Sequence, residues 1–443
     1  METIAAIATP NGVGAISIVR VSGDKALEVA KKLTKKDDFP PRVAKLCKVY
    51  DSNNELIDIA IVIYFKAPNS FTGEDIVEFQ CHGGVVVSRM ILEEILKHGV
   101  RLALPGEFSK RAFLNGKIDA SQAEAIAKLI ETRSREGAKL LSRQLEGDLA
   151  KFVEDIRNRL IEIMAYSEVF IDYAEEDLPQ TLGKDIEKRL NKLEEILNHT
   201  LEVSKRREGM LSGYKVAIVG KPNVGKSSIL NALLNKQRAI VSDIAGTTRD
   251  TIEEDIQIGS HLIRIIDTAG IRAAKDEIEK IGVERSKKAI EEADMVLAVF
   301  DANEFSKEDE EILELIKNAN KDVIVVINKI DKGVKIDLDR FKDFKVVKIS
   351  AKKDIKPLIE ALKELLDSYS GEDEHILIST RQINAVEKAL SAIKEAREFL
   401  ATGELELFSY QIQDAIKAIS EITKPFEYDE MLDKMFRSFC VGK

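Results

Sequence analysis

The octapeptide Gly220-Lys-Pro-Asn-Val-Gly225-Lys226-Ser227 dictates how the chain must run on either side of it. It fits the pattern GxxxxGK[ST]. It directly follows an apolar-rich run, Lys215–Val219, and opens a helical pattern over Ser228–Leu234. Strand, glycine-bearing turn and helix N-terminus in that order point successive backbone N–H groups into one concavity, where they bind phosphate oxygens. Lys226 then neutralises the β- and γ-phosphates, and Ser227 ligates Mg²⁺. His261–Ile266, Met295–Phe300, Val323–Ile327 and Lys345–Ile349 are further short apolar strands, with helical patterns between most of them. That alternation predicts a mostly parallel, doubly wound α/β sheet over residues 214–366.

Four more elements follow in order. Asp243-Ile-Ala-Gly-Thr-Thr-Arg-Asp250 is a polar loop in which Thr247 and Thr248 approach the nucleotide, Thr248 reaching Mg²⁺ and the γ-phosphate. Asp267-Thr268-Ala269-Gly270 ends a strand. Asp267 supports the Mg²⁺ shell, and the Gly270 N–H faces the γ-phosphate. Asn328-Lys329-Ile330-Asp331 ends another strand, and its carboxylate accepts the two adjacent N–H donors of guanine. Adenine offers no such pair, so Asp331 selects GTP over ATP. Ser350-Ala351-Lys352 closes over the base. The contact set read from the sequence is thus Asn223, Val224, Gly225, Lys226, Ser227 and Ser228 around the phosphates, with Thr247, Thr248, Asp267, Thr268, Ala269, Gly270, Asn328, Lys329, Asp331, Ser350, Ala351 and Lys352. Lys226, Gly270 and Glu279 are the candidate catalytic residues.

One position departs from the commonest arrangement. Many GTPases orient the attacking water with a Gln immediately after this glycine. Here Ile271 stands there and cannot hydrogen-bond water. Two substitutes are open: Asn223 seating a monovalent cation beside the phosphates, and Glu279, in the acidic stretch Asp276–Glu279, holding the water.

The rest of the 443-residue chain has other textures. Residues 1–118 mix β-rich runs (Ala15–Val21, Ile59–Phe65, Asp75–Cys81) with Gly and Pro punctuation, which predicts an α+β domain. Leu145, Leu149, Phe152, Ile156, Leu160 and Ile163 then share one face of a long helix, interrupted by Pro179 and Gly183. A second amphipathic run carries Ile186, Leu190, Leu193, Leu197 and Leu201, and a third, after the sheet, carries Ile383, Val386, Leu390 and Ile393. These suggest a helical domain split by an inserted one: 1–118, 119–211, 212–372 and 373–443. Three cysteines read as reduced thiols in a cytoplasmic protein. The net charge of −10 excludes a chain coated in basic residues, though not a local basic patch. The start has no basic, apolar leader, and no run approaches a membrane span.

With three blocks outside the nucleotide core, the chain resembles the MnmE (TrmE) family of tRNA-modification GTPases over essentially its whole length. The blocks are Asn69–Asp75 running to Gln80-Cys-His-Gly-Gly84; Pro105–Asp119 with Gln122-Ala-Glu-Ala125; and the terminal Phe439-Cys-Val-Gly-Lys443. The resemblance implies an N-terminal tetrahydrofolate-binding and dimerisation domain, a discontinuous helical domain and an inserted Ras-like P-loop GTPase domain. It implies a homodimer that works with a flavoprotein, MnmG (GidA), which carries FAD. Together they install a carboxymethylaminomethyl-type group at C5 of the wobble uridine of certain tRNAs. It further implies K⁺ bound at Asn223, Ser242, Ile244 and Thr247, with Glu279 positioning water. A folate derivative (5-formyl or 5,10-methylene) is expected at Arg20, Glu78, Lys117 and Lys443, with Cys440 as a thiol suited to chemistry. The end reads Cys-Val-Gly-Lys where Cys-Ile-Gly-Lys is commoner, and Leu104 stands where Arg is frequent. The competing expectation is a regulatory or ribosome-assembly GTPase whose flanking domains bind RNA.

Overall fold

The computed structural model describes residues 2–10, 12–172, 181–206, 208–237, 254–266, 279–369, 375–425, 435–437, 439 and 442. By mutual packing the chain forms two compact units, 1–127 with 144–168 and 409–443, and 128–143 with 169–408.

The first unit begins with β1 (Ile4–Ile7), β2 (Ile16–Ser22), α1 (Ala26–Thr34), β3 (Lys45–Tyr50), β4 (Leu56–Phe65), β5 (Ile76–His82), α2 (Val85–Leu96), β6 (Arg101–Leu102) and α3 (Glu107–Leu114). Its six strands run in the order β3-β4-β5-β2-β1-β6, antiparallel except for β1 beside β6. Strand periodicity of two sends Val19 and Val21, Cys47 and Val49, Ala60 and Val62, and Val77, Phe79 and Cys81 to one face. There α1 and α2 cover them. The intervening residues Arg20 and Glu78, paired across β2 and β5, point to the other face.

Helices α4 (Ala120–Glu131), α5 (Arg135–Leu145), α6 (Asp148–Asp172), α7 (Thr181–Arg206) and α8 (Glu208–Ser212) follow. The sequence places Leu145 on the long helix, but it ends α5 instead. Gly147 takes φ +88°, a left-handed conformation that stops one helix before the next begins. Leu149, Phe152, Ile156, Leu160 and Ile163 are buried along α6 as expected. Gly183 does not interrupt the chain: it lies inside the first turn of α7, where Cβ-less residues are tolerated. Pro179 lies outside the described residues.

The second unit centres on β7 (Tyr214–Val219), α9 (Lys226–Gln237), β8 (Glu254–Ile258), β9 (His261–Ile266), α10 (Glu279–Glu292), β10 (Met295–Asp301), α11 (Lys307–Asn318), β11 (Asp322–Asn328), β12 (Lys345–Lys348) and α12 (Lys356–Ser368). The strand order is β12-β11-β10-β7-β9-β8, parallel apart from the β8–β9 edge pair. Such a sheet is buried on both faces, which explains its near-continuous apolar strands. Ile229, Leu233, Leu358 and Leu362 of α9 and α12 cover one face. Ala289, Ile290, Ile312 and Leu313 of α10 and α11 cover the other.

The chain ends with α13 (Thr380–Thr402) and α14 (Leu405–Ser420). Helix α13, after the sheet, packs on α7, before it. Leu190, Leu193 and Leu197 face Val386, Leu390 and Ile393 as buried stripes. The Ser204 hydroxyl accepts from the Leu377 N–H at 2.9 Å, and Arg397 reaches Glu194 at 2.9 Å. A helical domain therefore brackets an inserted doubly wound α/β domain. Among the described residues no helix is long and apolar enough to cross a membrane.

Candidate nucleotide site and a second polar cluster

The phosphate loop joins β7 to α9. Its path requires residues without a Cβ at two points. At Gly220, φ +154°, a Cβ would lie 2.5 Å from the Val299 carbonyl oxygen; at Gly225, φ +105°, it would overlap Asn328 Nδ2. Asn223 adopts φ +67°, a region Asn tolerates better than most residues. Lys226 Nζ donates to the carbonyls of Gly220 at 2.6 Å and Lys221 at 2.9 Å. Burial pushes its pKa down from the ordinary lysine value. An ammonium that meets backbone carbonyls at the start of α9 suits the arrival of phosphate.

The Asn328-to-Asp331 segment is built into the same cradle. Asn328 is buried; its Nδ2 donates to the Val224 carbonyl at 2.8 Å, and its Oδ1 accepts from the Ala351 N–H at 3.0 Å. One side chain thus ties the phosphate loop, the end of β11 and the Ser350–Lys352 turn together. Lys329 Nζ donates to the Asn223 carbonyl at 2.6 Å and pairs with Asp301 at 2.8 Å. Burial opposes ionisation of Asp301, but the Lys329 ammonium and the Asn303 amides outweigh it, so its pKa sits below the ordinary carboxylate value. Asp331 is exposed, accepts from Ser350 Oγ at 2.8 Å, and has its pKa lowered first by that hydroxyl. A fixed, ionised carboxylate at the rim is what reading two adjacent N–H donors needs.

Of the predicted nucleotide residues, the structure brings together Asn223, Val224, Gly225, Lys226, Ser227, Ser228, Asn328, Lys329, Asp331, Ser350, Ala351 and Lys352. Ser227 opens α9 beside Lys226, and its hard oxygen fits Mg²⁺. Asn223 is exposed, so its side chain is accessible to a cation. Ser242, Ile244, Thr247, Thr248, Asp267, Thr268, Ala269 and Gly270 lie outside the described residues, as does the side chain of Glu279, which opens α10.

A second cluster lies in the first unit. Arg20 Nε donates to Glu78 Oε1 at 2.9 Å. Its guanidinium lies 5.9 Å from the Phe71 ring centre and 5.7 Å from that of Phe108. The Lys117 stem packs 3.4 Å from where a Gly73 Cβ would sit. Behind them Arg111 bridges Glu74 at 2.9 Å and Glu107 at 3.0 Å, and Arg101 grips Glu107 at 2.7 Å. The chain end packs here too: a Cβ on Gly442 would come within 2.5 Å of the Ile7 carbonyl, and Phe436 packs with Phe113 and Ala123. Cys440 and Lys443 lie outside the described residues. A paired arginine and carboxylate beside aromatic rings suit a flat heteroaromatic ring with an amide-like edge. His82 pairs with Asp58 at 2.7 Å.

Sequence reasoning passed over Asp301, Lys221, Glu74 and Arg111. The first pair had a visible signal: Asp301 ends a core strand, and Lys221 lies inside the loop motif itself. Glu74 and Arg111 are distant in sequence and meet only through the fold.

A glycine-cornered phosphate loop on a doubly wound sheet, its lysine held by two loop carbonyls and its rim carboxylate aligned by a serine, defines a P-loop GTP hydrolase. Comparison with known proteins takes this further. A family model described as "MnmE helical domain" matches residues 121–440, and one described as "GTP-binding protein TrmE N-terminus" matches residues 3–117. A protein of Sulfurimonas denitrificans named "tRNA modification GTPase MnmE" is 59% identical, covering 100% of this chain and 99% of its own. Relatives of the same name from Aliarcobacter butzleri and Wolinella succinogenes are 58% and 51% identical, covering 100% of this chain and 99% and 98% of theirs. The chain belongs to the MnmE family of tRNA modification GTPases.

Proposed function

We propose that this chain is a K⁺-dependent GTPase that modifies tRNA, acting as a homodimer in the cytoplasm with a flavoprotein partner of the MnmG (GidA) kind. The product is a carboxymethylaminomethyl-type group at C5 of the wobble uridine. The supporting observation is full-length identity of 59% to a relative named as a tRNA modification GTPase. The domain ends proposed are 118, 211 and 372.

In this reading Asp331 holds guanine, the loop N–H groups and Lys226 hold the β- and γ-phosphates, and Ser227, with Thr248 and Asp267, serves Mg²⁺. Ser228, Thr268 and Ala269 complete the phosphate contacts, and Lys352 closes over the base. Because Ile271 offers no hydrogen bond, Glu279 orients the water and Gly270 meets the γ-phosphate. Asn223, with Ser242, Ile244 and Thr247, seats K⁺, which when bound supplies positive charge beside the transferring phosphoryl group. Arg20, Glu78, Lys117 and Lys443 hold a tetrahydrofolate derivative, which when bound supplies the one-carbon unit. Cys440 stands near the end of the same segment as a candidate nucleophile. The redox step belongs to the partner's FAD.

The test is GTP turnover with K⁺ exchanged for Na⁺ at constant ionic strength. Turnover in K⁺ is expected to exceed that in Na⁺ by at least about tenfold, since loss of one cationic stabiliser costs that much or more. Equal rates would overturn the K⁺ assignment at Asn223.

A further inference from the structure

Lys226 rests on the carbonyls of Gly220 and Lys221, and the Lys221 side chain is itself committed elsewhere. Its Nζ lies 2.9 Å from Asp309 Oδ2 and donates to Ser306 Oγ at 3.2 Å. Asp309 is fully buried and the Lys221 side chain is only 10% exposed. The same Asp309 oxygen accepts from the Ser306 N–H at 2.8 Å and from Ser306 Oγ at 3.0 Å, closing the start of α11. A second acid, Glu304, lies 3.6 Å away but is largely exposed.

An exposed lysine–carboxylate pair contributes little. This one is different because the carboxylate has no water to fall back on, so removing the ammonium leaves a buried charge uncompensated. The next residue is Pro222, whose ring fixes φ, and Asn223 follows in a left-handed turn. A shift of the Lys221 backbone therefore passes stiffly into the loop.

We propose that Lys221 is a positioning residue: its ion pair with Asp309 anchors the phosphate loop to the start of α11 and fixes the carbonyl on which Lys226 Nζ sits. This rests on the reading of Gly220–Ser227 as the GTP site. The consequence is that two lysines serve one loop. Lys226 faces the phosphates, and Lys221, turned away, sets where Lys226 starts from.

The test uses the full chain, GDP and GTP with Mg²⁺, and thermal unfolding. Lys221→Met alone strands a buried charge, so the informative variant is Lys221→Met/Asp309→Asn, which removes both charges. KM for GTP is expected to rise about tenfold, a binding loss of about 1.4 kcal/mol. Preference for GTP over ATP should stay unchanged, because Asp331 is untouched. Lys221→Arg, which keeps the charge, should stay within about twofold of wild type. Lys226→Ala separates the two claims: if it leaves nucleotide affinity intact, the site reading itself fails. If it abolishes binding while the double variant keeps wild-type KM, the anchoring role is overturned. A parallel loss of guanine preference in the double variant, or failure of Lys221→Arg to restore KM, also overturns it, since either would mean general loosening of the domain.

Discussion

At the scale of single residues, carboxylates have different tasks according to what faces them. Asp331 is exposed and aligned by one hydroxyl, so its removal leaves the fold alone and changes what the rim reads. Asp331→Asn is expected to cut the GTP-over-ATP preference by roughly 10²-fold or more, measured by competition binding. An unchanged preference would remove Asp331 from the base-reading role. Glu107 is the opposite case. It accepts from Arg101, Arg111 and the Leu104 N–H, with little exposure. Burial opposes its ionisation, but the Arg101 guanidinium, the Leu104 N–H and Arg111 prevail, and its pKa falls below the ordinary glutamate value. A folded pKa below the unfolded one means that this stabilisation is complete above the ordinary carboxylate range. It drains away as pH falls through the folded value. Glu107→Gln should therefore destabilise the first unit by about 3 kcal/mol at neutral pH and flatten the acid limb of the stability curve. Urea titrations of both proteins at pH 7 and pH 3.5 check this; equal acid limbs would contradict it.

At the scale of elements, the legible features were those carried by local pattern. Apolar strands flanked by glycine and helical spacing located β7, β9, β10 and β11 to within about a residue, because buried parallel strands are uniformly apolar. The stripe Ile186–Leu201 and its partner Ile383–Ile393 were equally readable. The unread elements failed for physical reasons. β1 is only four residues long, and β3 and β8 are edge strands paired with the next strand in the chain, so their half-exposed faces break the apolar pattern that marks a core strand. The end of α5 was missed because Leu145 fits the next helix's period, and only the left-handed turn at Gly147 breaks the register. In the site, the loop and Asn328–Asp331 segment were legible as motifs, whereas the Lys221–Asp309 and Glu74–Arg111 pairs depend on tertiary contact. Gly225 shows how motif and contact meet. Gly225→Ala would place a methyl on Asn328 Nδ2 at a φ unsuited to alanine. It should break the Asn328 link and weaken GDP binding at least about a hundredfold with the fold retained, as read by titration and circular dichroism. Near-normal affinity would show that the loop can move aside.

At the scale of the whole molecule, a nucleotide domain inserted between two helices that pack on each other ties its ends to one helical support. Those two helices are held to each other by the Leu377 N–H bond to Ser204 and by the Arg397–Glu194 pair. The first unit carries its own polar cluster around Arg20 and the packed chain end. The proposed function places GTP hydrolysis and one-carbon chemistry on different parts of one chain and requires both. Nucleoside mass spectrometry of tRNA tests that requirement directly, in cells lacking the chain and complemented with wild type or Lys226→Ala. Wild type should restore C5-modified wobble uridine and Lys226→Ala should leave it absent. Unchanged modification in cells lacking the chain, or full restoration by Lys226→Ala, would contradict a GTP-driven role in tRNA modification.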